Sequence, residues 1–170
     1  MRWTILTALA LVCAAPASAE VKAASESGFA ISHVKGVKAS PERVWAALVT
    51  PAHWWSSAHS WSGDATNFSL EARAGGCFCE RWAAGEVEHG RVIFAQRGKL
   101  LRMRAALGPL QSEALVGTLS VTLTPDGAET KISVDYVVGG YARFALKDVA
   151  PGVDGVIGEQ MASLAKLVGE

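Results

Sequence analysis

The residues best placed to do chemistry sit on one short segment, Cys77-Phe78-Cys79-Glu80-Arg81-Trp82. Its residue types suit a strand, and successive side chains on a strand point to opposite faces. One face then carries Cys77, Cys79 and Arg81, and the other carries Phe78, Glu80 and Trp82. A charge that looks into an apolar interior is costly unless it is paired. Glu80 turned inward would have its pKa raised by burial and could work as a general acid or base. Arg81 turned inward would bind a ligand carboxylate. The plainer arrangement leaves each charge at the rim or paired across to the next strand. Tyr136 falls on the apolar face of its own strand. Its hydroxyl either donates to a ligand or, as is more usual, finds a backbone partner. If the chain is an enzyme, Glu80 and Tyr136 are its acid and base.

Other chemistry is thinner. Cys77 and Cys79 lie at i and i+2, which on a flat strand separates their Cα atoms by about 7 Å, the edge of disulfide geometry. They read as small buried apolar side chains rather than a strained bridge. The histidines, His33, His53, His59 and His89, are scattered, with no pair at a metal-ligand spacing. There is no G-x-S-x-G nucleophile elbow and no phosphate-binding glycine loop. Neither a metal nor a cofactor is expected. Trp54, Trp55 and Trp61 fall close together among Ser56, Ser57, Ser60 and Ser62. Such a segment reads as an aromatic gate, with Trp54 and Trp61 as its candidate members, while Trp45 packs a helix. Arg102 and Arg104 share a solvated face opposite Leu101 and Met103.

These residues need a frame. Phe29 to Ala39 reads as a first strand. Ser40-Pro41-Glu42 is a helix start with a capping serine, a proline suited to the first position and an acid that complements the dipole. Val44, Trp45 and Leu48 follow at helical spacing, and Thr50-Pro51 restarts a second short helix through Trp55. A run of about six strands comes next, separated by turns at Ala74-Gly75-Gly76, Ala84-Gly85, Gly108-Pro109 and Pro125-Asp126-Gly127. Gly117, Leu119, Val121 and Leu123 share one face of one strand, and Ile132, Val134, Tyr136 and Val138 share one face of the next. Val153, Val156, Ile157, Met161, Leu164, Leu167 and Val168 then form one apolar stripe on a helix of about four turns. Short turns make the strands antiparallel neighbours, so the class is α+β, with the long helix laid on a curved sheet.

The first nineteen residues have the parts of a secretion signal: Arg2, an apolar run from Ile5 to Ala15, and the small-x-small site Ala17-Ser18-Ala19. The run is shorter than the roughly 20 residues of a membrane span, and no other stretch reaches that length. The expected organisation is a signal at 1–19, a loose leader at 20–28 and one domain at 29–169. The expected location is periplasmic or secreted. The whole chain has 16 basic and 16 acidic residues, and loss of Arg2 with the signal leaves a net charge of −1. That balance lacks the basic surplus of a nucleic-acid binder.

Ala39-Ser40-Pro41-Glu42-Arg43-Val44-Trp45-Ala46-Ala47-Leu48, with Thr50-Pro51 and Trp54-Trp55 after it, resembles the first-helix region of the START-like (SRPBCC) superfamily. It is most similar to the branch related to activators of a heat-shock chaperone ATPase. Gly75-Gly76-x-Phe78 resembles that branch's glycine turn, and the likeness runs from about Phe29 to Leu167. The resemblance implies a helix-grip fold, a sheet curved around the terminal helix with an elongated cavity between them. It also implies binding of lipids, sterols, polyketides or hormones, cyclisation or dehydration of polyketides, or docking on a protein. The secretion signal argues against the chaperone role. The reading reached is a non-enzymatic binder of a small hydrophobic or amphipathic molecule. Its ligand-binding residues are Trp54, Trp61, Phe78, Glu80, Arg81, Met103, Leu119, Tyr136 and Met161. A cyclase- or dehydratase-like enzyme, or a protein-interaction domain with a filled core, are the alternatives. A protein partner is not specified.

Overall fold

Period-two patterning becomes one sheet. The computed structural model describes residues 20–169, and the expected signal at 1–19 lies outside them. The strands are β1 (Glu20–Ala24), β2 (Gly28–Val37), β3 (Phe68–Leu70), β4 (Cys77–Trp82), β5 (Gly85–Gln96), β6 (Leu100–Arg104), β7 (Ala114–Asp126) and β8 (Glu129–Tyr141). All pair antiparallel, in the order β1-β2-β8-β7-β6-β5-β4-β3. Two helices accompany them, α1 (Pro41–Leu48) and α2 (Leu146–Val168), with single 3-10 turns at Pro51–His53 and Ser57–His59. This is the expected α+β helix-grip arrangement, a curved open sheet and a long C-terminal helix.

The inner face carries the core. Leu101, Ile132, Tyr136, Leu164 and Ala165 are all fully or almost fully buried. Alternation explains the sheet's share: Leu119, Val121 and Leu123 of β7 meet Tyr136, Val134 and Ile132 of β8 in register. Ser40 caps α1 by accepting a hydrogen bond from the Arg43 amide at 3.3 Å. Gly75, at φ +79°, makes the turn into β4, and a Cβ on Gly76 would come within 2.0 Å of the Glu71 carbonyl oxygen. Only glycine suits both places.

Two expectations are corrected here. Residues 20–24, expected as part of a loose leader, form the edge strand β1, with Val21 opposite Ile31 and Ala24 opposite Phe29. The segment is small-residued and short, so its own pattern is weak, and the pairing comes from the long neighbour β2. The terminal helix also runs past four turns, to 23 residues, and includes Pro151. Its start is fixed from outside. The Leu146 and Lys147 amides donate to the Glu26 and Ser25 carbonyls at 3.0 and 2.8 Å, and Leu146 and Ala150 are fully buried. Against that anchoring stands poor intrinsic helicity. Pro151 cannot donate to the Lys147 carbonyl, and Gly152, Gly155 and Gly158 follow at every third position.

Gly158 has a packing reason. A Cβ there would lie 3.0 Å from His33 Cε1. The helix approaches β2 closely at this point, and His33 Nε2 lies 2.8 Å from Asp154 Oδ1.

Candidate functional site

β4 and β5 pair regularly except at one place. Phe78 faces Gly90 and Cys79 faces Glu88, so His89 is an extra residue on β5. Such a bulge re-aims a side chain. Here it turns His89 to the inner face, where it is 4% exposed, beside Glu80 at 0%. Phe68 stacks on the imidazole at 4.7 Å and 23°, and Phe78 tilts against it at 5.3 Å.

Glu80 is the hub. Its Oε1 accepts from the Ser62 amide at 2.6 Å. Its Oε2 accepts from the Trp61 amide at 3.1 Å and lies 2.9 Å from His89 Nε2. Burial pushes the Glu80 carboxyl up, but hydrogen bonds from Ser62, Trp61 and His89 outweigh it and hold the group below its usual range. Burial holds His89 below its ordinary value, although Glu80 pulls the other way. At neutral pH the pair is therefore carboxylate and neutral imidazole. A carboxylate only accepts, so the imidazole proton is on Nε2 and the lone pair on Nδ1.

No hydrogen bond among the described residues reaches Nδ1, yet it is not a sealed atom. Among the described residues, the one buried side-chain nitrogen or oxygen lacking a hydrogen bond is Gln160 Nε2. His89 lines a cavity of about 580 Å³. Its other walls are Trp55, Ala58, His59, Ser60 and Trp61, the Leu107-Gly108-Pro109 turn, and Asp148, Val149, Gly152, Val153, Val156 and Ile157 of α2. Apolar side chains dominate, with exposed Asp148 at the rim.

The gate segment is tied down at several points. The Ser56 amide donates to Gln160 Oε1 at 2.8 Å, and His59 Nε2 lies 3.0 Å from Glu159 Oε2. Trp55 Nε1 donates to the His59 carbonyl at 2.9 Å. With Glu80 holding the far end, α2 and β4 clamp the segment from both sides.

The expected residues separate into groups. Trp61 lines the cavity and is 56% exposed. Trp54 does not line it. Its indole donates to the Ala47 carbonyl at 3.0 Å and its ring packs on Trp55. Phe78 and Glu80 stand behind His89. Met103, Leu119 and Met161 are buried in the core and are not on the cavity wall. Arg81 is on the outer face, 3.1 Å from Glu86, so it is not available to a ligand inside. Tyr136 is fully buried, donates to the Ala105 carbonyl at 3.0 Å and accepts from the Leu107 amide at 3.1 Å. Burial pushes its phenol up to about 12. The hydroxyl therefore braces the turn that forms one cavity wall and does not reach the cavity as an anchor.

Cys77 and Cys79 are bridged, contrary to the expectation of two apolar thiols. The pairing slips beside Phe78, and the two Cα atoms come to 5.4 Å, shorter than a flat strand allows. The bridge lies on the outer face, in a shallow groove with Arg73, Arg81, Arg91 and their acidic partners. No group of three or more His, Cys, Asp or Glu residues able to hold a metal occurs among the described residues.

The family model described as polyketide cyclase / dehydrase and lipid transport matches residues 29–169. That span starts where the START-like resemblance starts. Among solved structures, protein CV1439 from Chromobacterium violaceum aligns with TM-score 0.57 at 19% identity, over 83% of this chain and 97% of that one. The Aha1 dimer from Colwellia psychrerythraea aligns with TM-score 0.56 at 18% identity, over 82% and 95%. CalU16 from Micromonospora echinospora gives 0.53 at 12%, over 87% of each chain. At these identities the likeness is one of fold. No curated protein matches the chain.

Proposed function

Because the chain belongs to the polyketide cyclase / dehydrase and lipid transport family, with a START-like fold, we propose that it holds a small hydrophobic or amphipathic molecule in the cavity beside α2, and does so outside the cytoplasm. The observation that carries this reading is the cavity itself: about 580 Å³, walled mainly by Trp55, Trp61, Leu107, Val149, Val153, Val156 and Ile157. That volume falls in the range of about 300–1,000 Å³ usual for small-molecule pockets. The Cys77–Cys79 bridge supports an oxidising compartment, in keeping with the N-terminal signal pattern. No helix among the described residues is long and apolar enough to cross a membrane.

An acid–base pair of Glu80 and Tyr136 is not favoured. Glu80 is held as a carboxylate with three donors on it, and the Tyr136 hydroxyl is engaged by the backbone.

Native mass spectrometry of the purified protein, before and after solvent extraction, tests the reading together with uptake of the neutral dye 1-anilinonaphthalene. Val153→Trp, which fills the cavity from α2, is the control. A bound mass that extraction removes, or dye uptake that Val153→Trp abolishes, is the expected result. A clean spectrum with no dye uptake would overturn it.

A further inference from the structure

We propose that His89 selects the ligand: the cavity takes a neutral apolar molecule carrying one acidic hydroxyl, such as a phenol or an enol, and that O–H is donated to His89 Nδ1. This rests on the cavity reading above and adds the chemistry of its polar contact.

The ring is held at its Nε2 edge and by two aromatic neighbours. Nε2 is 2.9 Å from Glu80, Phe68 stacks on one face, and Phe78 tilts against the ring. Glu80 in turn is held by two backbone amides, so it has no freedom to release the imidazole. Nδ1 is then a preset acceptor on a mainly apolar wall, whose other polar side chains are His59, Ser60 and Asp148. The tautomer follows from the carboxylate and needs no ligand to set it.

The alternatives fit worse. A ligand carboxylate would meet a lone pair at Nδ1, and the acid on the cavity rim, Asp148, has the same sign. A ligand cation would lose its water against apolar side chains, with a neutral imidazole inside and Asp148 acting only from the exposed rim, where solvent screens it. A ligand without a donor would leave Nδ1 dry and unpaired, which is the kind of mismatch that discriminates most strongly between otherwise similar ligands. A hydroxyl satisfies both partners. The same carboxylate also fixes the backbone of Trp61, so the acceptor and the aromatic rim are positioned by one group.

The test uses the whole protein and a matched pair of probes, 2-naphthol and 2-methoxynaphthalene, measured by displacement of the anilinonaphthalene dye. They share a ring system and differ by the O–H. 2-Naphthol should bind about tenfold or more tightly than the ether, and His89→Phe should erase the difference. Should that variant fail to fold, the ¹⁵N spectrum of native protein decides: 2-naphthol should move the unprotonated His89 Nδ1 resonance, and the ether should not. Equal affinities, a preference that survives His89→Phe, or an unmoved Nδ1 resonance would overturn the proposal while leaving the cavity reading intact. Binding of neither probe nor dye would remove the cavity reading, and this proposal with it.

Discussion

Glu80→Gln reaches every part of the site and can be worked through. The carboxylate accepts three hydrogen bonds, from the Ser62 amide, the Trp61 amide and His89. Glutamine has one oxygen and one NH2 group. If its oxygen serves Ser62, the NH2 faces the Trp61 N–H, and His89 must change tautomer to accept. If the amide turns round, Ser62 loses its acceptor instead. Either way one backbone N–H is stranded, at about 1–3 kcal/mol, and the remaining bonds lose their charge assistance, at roughly 1 kcal/mol more. The expected loss is about 2–4 kcal/mol, or roughly 5–15 °C in Tm for a domain of this size. Urea unfolding followed by tryptophan fluorescence measures it, and amide hydrogen exchange should quicken at Trp61 or Ser62. The native protein should also lose stability in acid, with a definite sign. Below the ordinary histidine value of 6.5 the unfolded chain takes a proton that buried His89 resists, and below about 4.5 Glu80 adds the same effect. Stability is thus full above 6.5 and falls as pH drops, by up to about 1.4 kcal/mol per pH unit for each proton. A loss under about 1 kcal/mol in Glu80→Gln, with Trp61 and Ser62 exchange unchanged, would refute the clamp.

Three further substitutions test the frame. Tyr136→Phe keeps the ring and strands the Ala105 carbonyl and the Leu107 amide, so it should cost about 1–3 kcal/mol in thermal unfolding and loosen dye binding through the Leu107 turn. Gly117→Ala would put a Cβ 1.8 Å from the Ala105 carbonyl oxygen. A loss of roughly 3 kcal/mol or failure to fold is expected, and a stable variant would mean that β7 sits further from the Ala105 strand end than described. Gly155→Ala has open space around the new Cβ and an ordinary helical backbone. It should stabilise by about 1 kcal/mol on urea unfolding.

Much of the frame was readable from periodicity. β7 and β8 alternate cleanly because one face is core and the other solvent, and the first helix announces itself through Ser40, Pro41 and Glu42. Alternation places Glu80 and Arg81 on opposite faces but does not say which face is inside. The site's central residue was not readable. With Val92 inside, strict alternation on β5 would place Glu88 inward and His89 outward. The bulge at His89 reverses that, and a one-residue irregularity leaves no trace in a hydropathy pattern. A signal did exist: Glu80 on an inner face needs a donor, and the basic residues on the adjoining strand are His89 and Arg91. The Cys77–Cys79 bridge is hidden for the same reason: flat-strand spacing does not hold where the pairing slips. The edge strand β1 is not legible, since Val21 and the alanines carry little pattern of their own.

The half of α2 that walls the cavity is also the half least able to remain helical by itself. Pro151 and the glycines at 152, 155 and 158 forgo roughly 6 kcal/mol of intrinsic helicity relative to alanine. That deficit is met by Leu146, Ala150 and Ile157 below, and by the Ser25 and Glu26 carbonyls at the end. Fluctuation should therefore concentrate on the ligand-facing side, with the C-terminal turns around Leu164 and Val168 staying rigid. On the proposed binding reading, ligand exchange should follow the opening of this wall, and a bound molecule should slow that opening by packing against Val153 and Val156. Amide exchange along 150–158 would be the clock of the binding cycle, and Gly155→Ala, which stiffens the wall, would slow arrival and departure together.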